Sequence, residues 1–223
     1  MTDSNVYISR FSAWAPGVDT SAGWHEWSLG ERKITLDSKG PELAFTEPMF
    51  RRRLSQISKM TIQVVHDLMP ITNDIKIMFA SFRGELSRQY QINKMLIEDK
   101  TLSPAVFSLS VFNAPAALAT MAFGLKGGYS AIYINENSFS SALKAANAAL
   151  LCAEAEELVF IYADEKVQDE YSRFFNKIAP PVSFALLLSK VSCPNSIPFN
   201  ITEENHLDYL KQLLKSGGNC VSP

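Results

Sequence analysis

Cysteine and histidine are scarce in this 223-residue chain, three of each. Cys152, Cys193 and Cys220 are odd in number and widely spaced, and no Cys-x-x-Cys occurs. Neither a disulfide framework nor a zinc knuckle is therefore indicated. His25, His66 and His206 lie far apart with no ligand spacing between them, so no metal site and no cofactor is expected. No apolar run reaches the roughly 20 residues of a membrane helix. The longest candidates, Ala114–Leu125 and Ala145–Cys152, are too short or too rich in small residues. A basic surplus is missing too: 21 Lys and Arg stand against 23 Asp and Glu, a net charge of −2. That excludes an electrostatic grip on nucleic acid and gives no support to a polybasic membrane tether. The first residues lack the basic start and apolar stretch of a secretory signal, so a cytoplasmic globular protein is expected. Without such a route the triplet Asn200-Ile201-Thr202 is a glycosylation site in pattern only.

Catalytic spacings are equally sparse. There is no Gly-x-Ser-x-Gly, no Ser-x-x-Lys with its companion motifs and no phosphate-cradling glycine loop. His66 and Asp67 are neighbours on a predicted helix, where adjacent side chains diverge, so no dyad is expected. Cys152 reads as a buried structural thiol. His206 reads as an ordinary helical residue, and Ser138 as a helix cap rather than a nucleophile.

What is present is an alternation of strands and helices over a chain that is 47% hydrophobic. Strands are predicted at Val6–Ser12, Ile75–Ser81, Tyr129–Ile134, Leu158–Ala163 and Val182–Ser189. The last two are near-continuous apolar runs of the doubly buried kind. Helices are predicted around Trp24 and Trp27, over Met49–Leu68 on a broad apolar stripe, and over Gly84–Glu98. Two short helices are expected within Leu102–Leu125, where Pro104 and Pro115 interrupt. A helix follows over Phe139–Cys152, and a last one over 202–217 capped by Thr202. No repeat or linker divides the chain, so one α/β domain over 1–223 is expected. Arg51, Arg52 and Arg53 would sit at a helix start, as a solvated turn or as a dock for an acidic partner.

Several segments, in order, resemble the N-terminal half of a β-ketoacyl synthase of the thiolase-like superfamily. Val6–Gly17 resembles its opening strand and loop, and Arg51–Met60 its early arginine-rich helix. Ile77–Gly84 is similar to the strand and turn of its second βα unit. Ser103–Ser108 with Asn113-Ala114-Pro115-Ala116 is similar to its Pro-x-x-Phe and Asn-Ala-Ala-Gly segment. Leu125–Gly128 resembles its Leu-x-Gly-Pro turn, and Leu158–Glu165 the strand that ends in Gly-Gly-x-Glu. The implied fold is a thiolase-like half: a βαβαβαββ-type layer with a mixed, mostly parallel sheet and helices on both faces.

The resemblance also implies a missing nucleophile. At the strand-to-helix turn such synthases carry Thr-Ala-Cys-Ala, and this chain has Ile134-Asn135-Glu136-Asn137. Glu136 stands where the acyl-accepting cysteine would be. Carboxylate attack on a thioester would give a high-energy anhydride, whereas a thiolate is strongly nucleophilic and its product remains a thioester. Relatives that lack this cysteine are chain-length factors, and the short synthase-like subunit of aryl polyene biosynthesis matches best in length. Such a subunit is expected to be non-catalytic and to pair with a catalytic ketosynthase, with acyl carrier protein as a transient partner.

The dimer strand is expected at Ser130–Ile134, including Ile132. Phe107, Phe112 and Asn113, with Tyr133 and Glu136, are expected to shape the partner's acyl tunnel. Arg51, Arg52 and Arg53 are expected to meet the acidic carrier. The alternatives are an acyltransferase or thioesterase using another nucleophile such as Ser138, and a homodimeric scaffold without acyl chemistry. The helix from Ser138 is rich in small residues nearly all round, so its outer face should need cover from residues 166–223, a partner, or both.

Overall fold

The computed structural model describes residues 6–135, 137–174, 179–201 and 205–216. β1 (Tyr7–Trp14) leads into α1 (Ser21–Leu29), then α2 (Pro48–Arg51), α3 (Gln56–Asp67) and β2 (Lys76–Ser81). α4 (Leu86–Lys94) runs into a π-helical turn, Met95–Asp99, followed by α5 (Pro104–Phe107), α6 (Ala114–Phe123) and β3 (Tyr129–Tyr133). α7 (Phe139–Cys152), β4 (Glu157–Asp164), β5 (Val182–Ser189), β6 (Ile197–Pro198) and α8 (His206–Lys215) complete the chain.

The strands form one sheet in the order β3-β2-β4-β5-β1-β6. β2 pairs in parallel with β3 and β4, while β5 is antiparallel to β4 and β1, and β6 to β1. Four strands, β1 to β4, therefore run one way and two run back. Helical crossovers join β2 to β3 and β3 to β4, as parallel neighbours require.

Every residue of β5 is buried and all but the first of β4, because helices cover both sheet faces. Alternation along the strands sends Phe160, Tyr162, Phe184 and Leu186 to one face, with Trp24 of α1, Leu143 of α7 and Leu210 of α8. Val159, Ile161, Ala185 and Leu187 go to the other, with Ile57 and Val64 of α3 and Ala116 of α6. These two apolar layers provide the main packing of the fold.

Met49–Leu68 is not one helix. Ser55 stops it: its hydroxyl accepts from the Ser58 N–H as an N-cap and begins α3 afresh. Arg51 thus ends α2, and Arg52 and Arg53 lie in the connecting turn, so the triplet does not begin a helix. Ser138 precedes α7 without capping it; its hydroxyl accepts from Asn135 N–H at 2.9 Å, inside the turn. The last helix begins at His206, and Asn205 caps it by accepting from Leu207 and Asp208 N–H. Thr202 and Gly217, expected to bound it, lie outside the described residues. Cys152 is exposed rather than buried. The inner face of α7, including Ala142, Leu143 and Ala146, is buried, while Ser141, Ala148 and Leu151 on its outer side are exposed.

Candidate functional site

Because β2, β3 and β4 are parallel, their carboxyl ends meet at one edge of the sheet, the edge at which α/β folds place their sites. Asp164 ends β4 there. Its Oδ1 accepts from Ser81 Oγ at 2.8 Å and from Arg83 and Phe82 N–H at 2.9 and 3.2 Å. Its Oδ2 accepts from Tyr162 Oη at 2.5 Å. Four donors thus hold a buried carboxylate, the condition for a charge to be tolerated inside. Burial first, and then the Asp164 charge, push the Tyr162 hydroxyl well above its ordinary pKa, so it stays a donor.

The β3–α7 turn closes over this network. The Ile134 N–H donates to the Ser81 carbonyl, and the turn bonds to itself through Asn135 and Ser138. Glu136 lies outside the described residues. Beneath the turn is a space of about 20 Å³ walled by Arg83, Asn135, Phe139, Tyr162, Asp164 and His206, enough for about one water.

His206, read from sequence as an ordinary helical residue, belongs to this site. Its ring stacks on Tyr162 at 4.4 Å, and Nε2 is buried with no hydrogen-bond partner among the described residues. Burial pulls its pKa down to about 4, so it is neutral near pH 7 and is no acid catalyst as it stands.

The predicted tunnel residues separate. Phe112 packs edge-on to Tyr133 at 6.3 Å and to Phe79 at 6.0 Å, and Phe82 lies 6.2 Å from Tyr133. Phe112 also sits on Gly84, where an added Cβ would come 2.6 Å from its ring. Tyr133 is 64% exposed at the end of β3. Asn113 instead donates to Tyr129 Oη at 3.0 Å, at the start of β3. Phe107 is exposed and makes no ring contact among the described residues. Ser130 and Ile132 are half-buried on β3 and Ile134 is buried. β3 is an edge strand: among the described residues it pairs only with β2.

A second cavity, of about 450 Å³, opens on the other face of the same edge. Arg52, Arg53, Arg88 and Lys166 line it. Arg51 turns away, its guanidinium reaching the carbonyls of Glu42 and Leu43. Glu165, next to Asp164, points to this opposite side. It is fully buried, and its Oε1 accepts from Ser87 N–H at 2.6 Å. Burial and then the charge of Glu85 push its pKa up to about 8. Glu85 is buried as well and accepts from Ser55 and Ser58 Oγ, each at 2.7 Å.

Elsewhere, His66 does approach Asp67, with Nδ1 3.2 Å from Oδ1, because the ring turns back along the helix and stacks on Phe45. Among the described residues no group of three His, Cys, Asp or Glu side chains is placed to hold a metal ion, and no helix is long and apolar enough to cross a membrane.

This architecture, a mixed six-stranded sheet with helices on both faces, is a thiolase-like half. The family model for the beta-ketoacyl synthase N-terminal domain matches residues 24–217, and the chain belongs to that family. No curated protein matches it. Among solved structures it is similar to a chain of the ketosynthase ApeO in complex with its chain length factor ApeC from Xenorhabdus doucetiae. That match has a TM-score of 0.78 and 23% identity, covering 97% of this chain and 96% of that one. It is also similar to the ishigamide ketosynthase/chain length factor, with a TM-score of 0.66 and 13% identity over 82% of this chain and 62% of that one. A third is the AntDE:AntF type II polyketide acyl-carrier protein in complex with its ketosynthase, with a TM-score of 0.58 and 13% identity, covering 82% and 62%. At these identities the likeness establishes the fold.

Sequence reasoning missed the roles of Asp164, Tyr162, Arg83 and His206. One signal was available: two acidic residues, Asp164 and Glu165, directly after an apolar strand, where charge needs an internal reason.

Proposed function

We propose that this chain is a non-catalytic, chain-length-factor-like subunit that pairs with a catalytic β-ketoacyl-carrier-protein synthase and shapes its acyl tunnel. The observation that carries the reading is the unpaired outer edge of β3, with Tyr133 exposed at its end and backed by Phe112 and Phe82. Edge strands offer backbone donors and acceptors to a second strand, so β3 suits pairing across a subunit interface through Ser130, Ile132 and Ile134. Further apolar residues are exposed: Leu96 and Ile97 in the π-helical turn, the latter at 78%, and Leu102, Phe107 and Val111 after it. The likeness to chains of ketosynthase and chain-length-factor complexes supports the same reading.

Absence of turnover follows from the turn Asn135-Glu136-Asn137, which offers a carboxylate and no thiol. Tunnel length would be set by Phe112 and Tyr133, because packed aromatic rings do not yield by a methylene without cost. Phe107 and Asn113 would flank them. An acidic acyl carrier protein would meet Arg52 and Arg53, which make no ion pair among the described residues, with Arg51 holding the turn behind them.

The test is co-expression with the catalytic synthase from the same source, followed by co-purification and product analysis. A stable complex, longer products with Phe112→Ala, and no acyl elongation by the chain alone are expected. A well-behaved chain with no affinity for the synthase, or unaided elongation, would overturn the reading.

A further inference from the structure

A cavity of about 540 Å³ lies at the last turn of α3, where Trp14, the segment from Gly40 to Phe45, and Gln63, His66 and Asp67 meet. Its volume lies in the range of small-molecule pockets. Trp14 belongs to β1, which three strands separate from the β3 edge. Carboxylates line the cavity and no Lys or Arg does: Asp67 is buried, while Asp19 and Glu42 are exposed at the rim. The carboxyl end of α3 adds partial negative charge, and Trp14 and Phe45 supply aromatic surface. The wall is held in place: Leu43 is buried with φ of +51°, and its carbonyl accepts from Thr46 N–H at 2.9 Å and from the Arg51 guanidinium at 3.3 Å.

Asp67 is only 9% exposed. Its Oδ1 accepts from Gln63 Nε2 at 2.8 Å and lies 3.2 Å from His66 Nδ1. Its Oδ2 is buried with no partner among the described residues, on a side chain that lines the cavity. A bare buried carboxylate oxygen is costly, and an N–H donor placed there removes that cost. His66 is already committed, stacked on Phe45 at 3.7 Å with Nδ1 turned to Oδ1. Burial outweighs the contacts of His66 and Gln63 and raises the Asp67 pKa above its ordinary value, as expected of a charge without a full counter-ion.

From this arrangement we infer that the cavity binds an aliphatic diamine, one ammonium donating to Asp67 Oδ2 and the other held by Asp19 and Glu42, with the methylene chain along Trp14, Leu43 and Phe45. An ammonium carries three donors and no acceptor, which suits a carboxylate oxygen that lacks a donor. Aromatic rings attract the cation and pack against its methylenes. Burial divides the carboxylates into one at the floor and two at the rim, and that division favours two ammonium groups on one chain over a single one. A lysine side chain offers only one. This inference goes beyond the pairing proposed above and does not depend on it.

Calorimetric titration of the full chain, alone or as its purified complex, with cadaverine tests it at constant ionic strength and neutral pH. Pentylamine, which also stands for a lysine side chain, and pentanediol are the comparison ligands. Cadaverine is expected to bind about fivefold tighter than pentylamine, and pentanediol not measurably. Asp67→Asn keeps the acceptor that Gln63 and His66 use and puts an amide N–H in place of the free oxygen, so it should weaken both amines by about tenfold or more. The double variant D19N/E42Q, at exposed positions, should bring cadaverine down to the affinity of pentylamine. Should the Asn variant fail to fold, D19N/E42Q decides alone. Pentanediol binding as tightly as cadaverine, equal affinity of the parent for the two amines, or a cadaverine affinity unchanged in either variant would overturn the inference. Because the titration needs no synthase, its failure is distinguishable from failure of the pairing experiment.

Discussion

Asp164 accepts the Ser81 hydroxyl at 2.8 Å, and this one contact joins the carboxyl ends of two neighbouring parallel strands through their side chains. The same carboxylate also takes two backbone N–H groups and the Tyr162 hydroxyl. Removing it leaves four donors unsatisfied in the interior. Asp164→Ala should therefore lower the unfolding free energy by about 3 kcal/mol or more, and Ser81→Ala by about 1 kcal/mol. Urea denaturation of the purified chain measures both. An Asp164→Ala protein as stable as the parent would show that the network does not hold the corner.

His206 and Glu165 should give opposite pH dependences. The folded chain holds His206 at about 4 against an ordinary 6.5. Between those values the unfolded chain binds a proton that the folded one refuses, so this contribution is lost as pH falls from 6.5 to 4. His206→Gln should flatten that limb.

Glu165 is held at about 8 against an ordinary 4.5, so the folded chain binds the extra proton. Its contribution is full below 4.5 and is lost as pH rises to 8. Between 6.5 and 8 it acts without His206, and there Glu165→Gln should remove a fall in stability that the parent shows. A stability profile from pH 4 to 9, read by denaturant midpoint, separates the two.

Gly84 has φ of +57° and lies under the Phe112 ring. Gly84→Ala should cost about 2 kcal/mol, part from the left-handed backbone and part from the ring it displaces. In a Phe112→Ala background the second part disappears, so the alanine should cost less there. A double-mutant cycle that gives simple additivity would show that Phe112 yields freely.

Tyr133 is exposed at the end of the β3 edge. If that edge docks on a synthase, Tyr133→Lys should leave the melting temperature of the chain nearly unchanged and weaken the complex by about tenfold, because a charge is put into a buried contact. Analytical ultracentrifugation of the mixed subunits reads the change.

Much of the scaffold was legible in the residues. β5 was placed to the residue and α7 likewise, because a continuous apolar run and a run of small helix formers each have one way to be buried. The expected synthase-like half also holds. The break at Ser55 was not legible, because the apolar stripe runs on through Leu54 and Ile57 while one hydroxyl restarts the helix. The cap at Asn205 was missed for a similar reason: Thr202 and Asn205 have equal local merit, and packing of Tyr209 and Leu210 on the sheet selects the later one.

The amino-acid sequence by itself determined the α/β class, because period-two and period-3.6 patterns are local, and its resemblance to a synthase half implied that no cysteine stands at the turn before α7. What it left open was decided by tertiary structure. Contacts between Ser81 and Asp164 and between Tyr162 and His206, and the cavity that Arg52, Arg53 and Glu165 line together, join residues 44 to 113 positions apart. Parallel strands bring such distant ends to one edge. Burial there, which no local pattern encodes, leaves Glu165 protonated and His206 neutral.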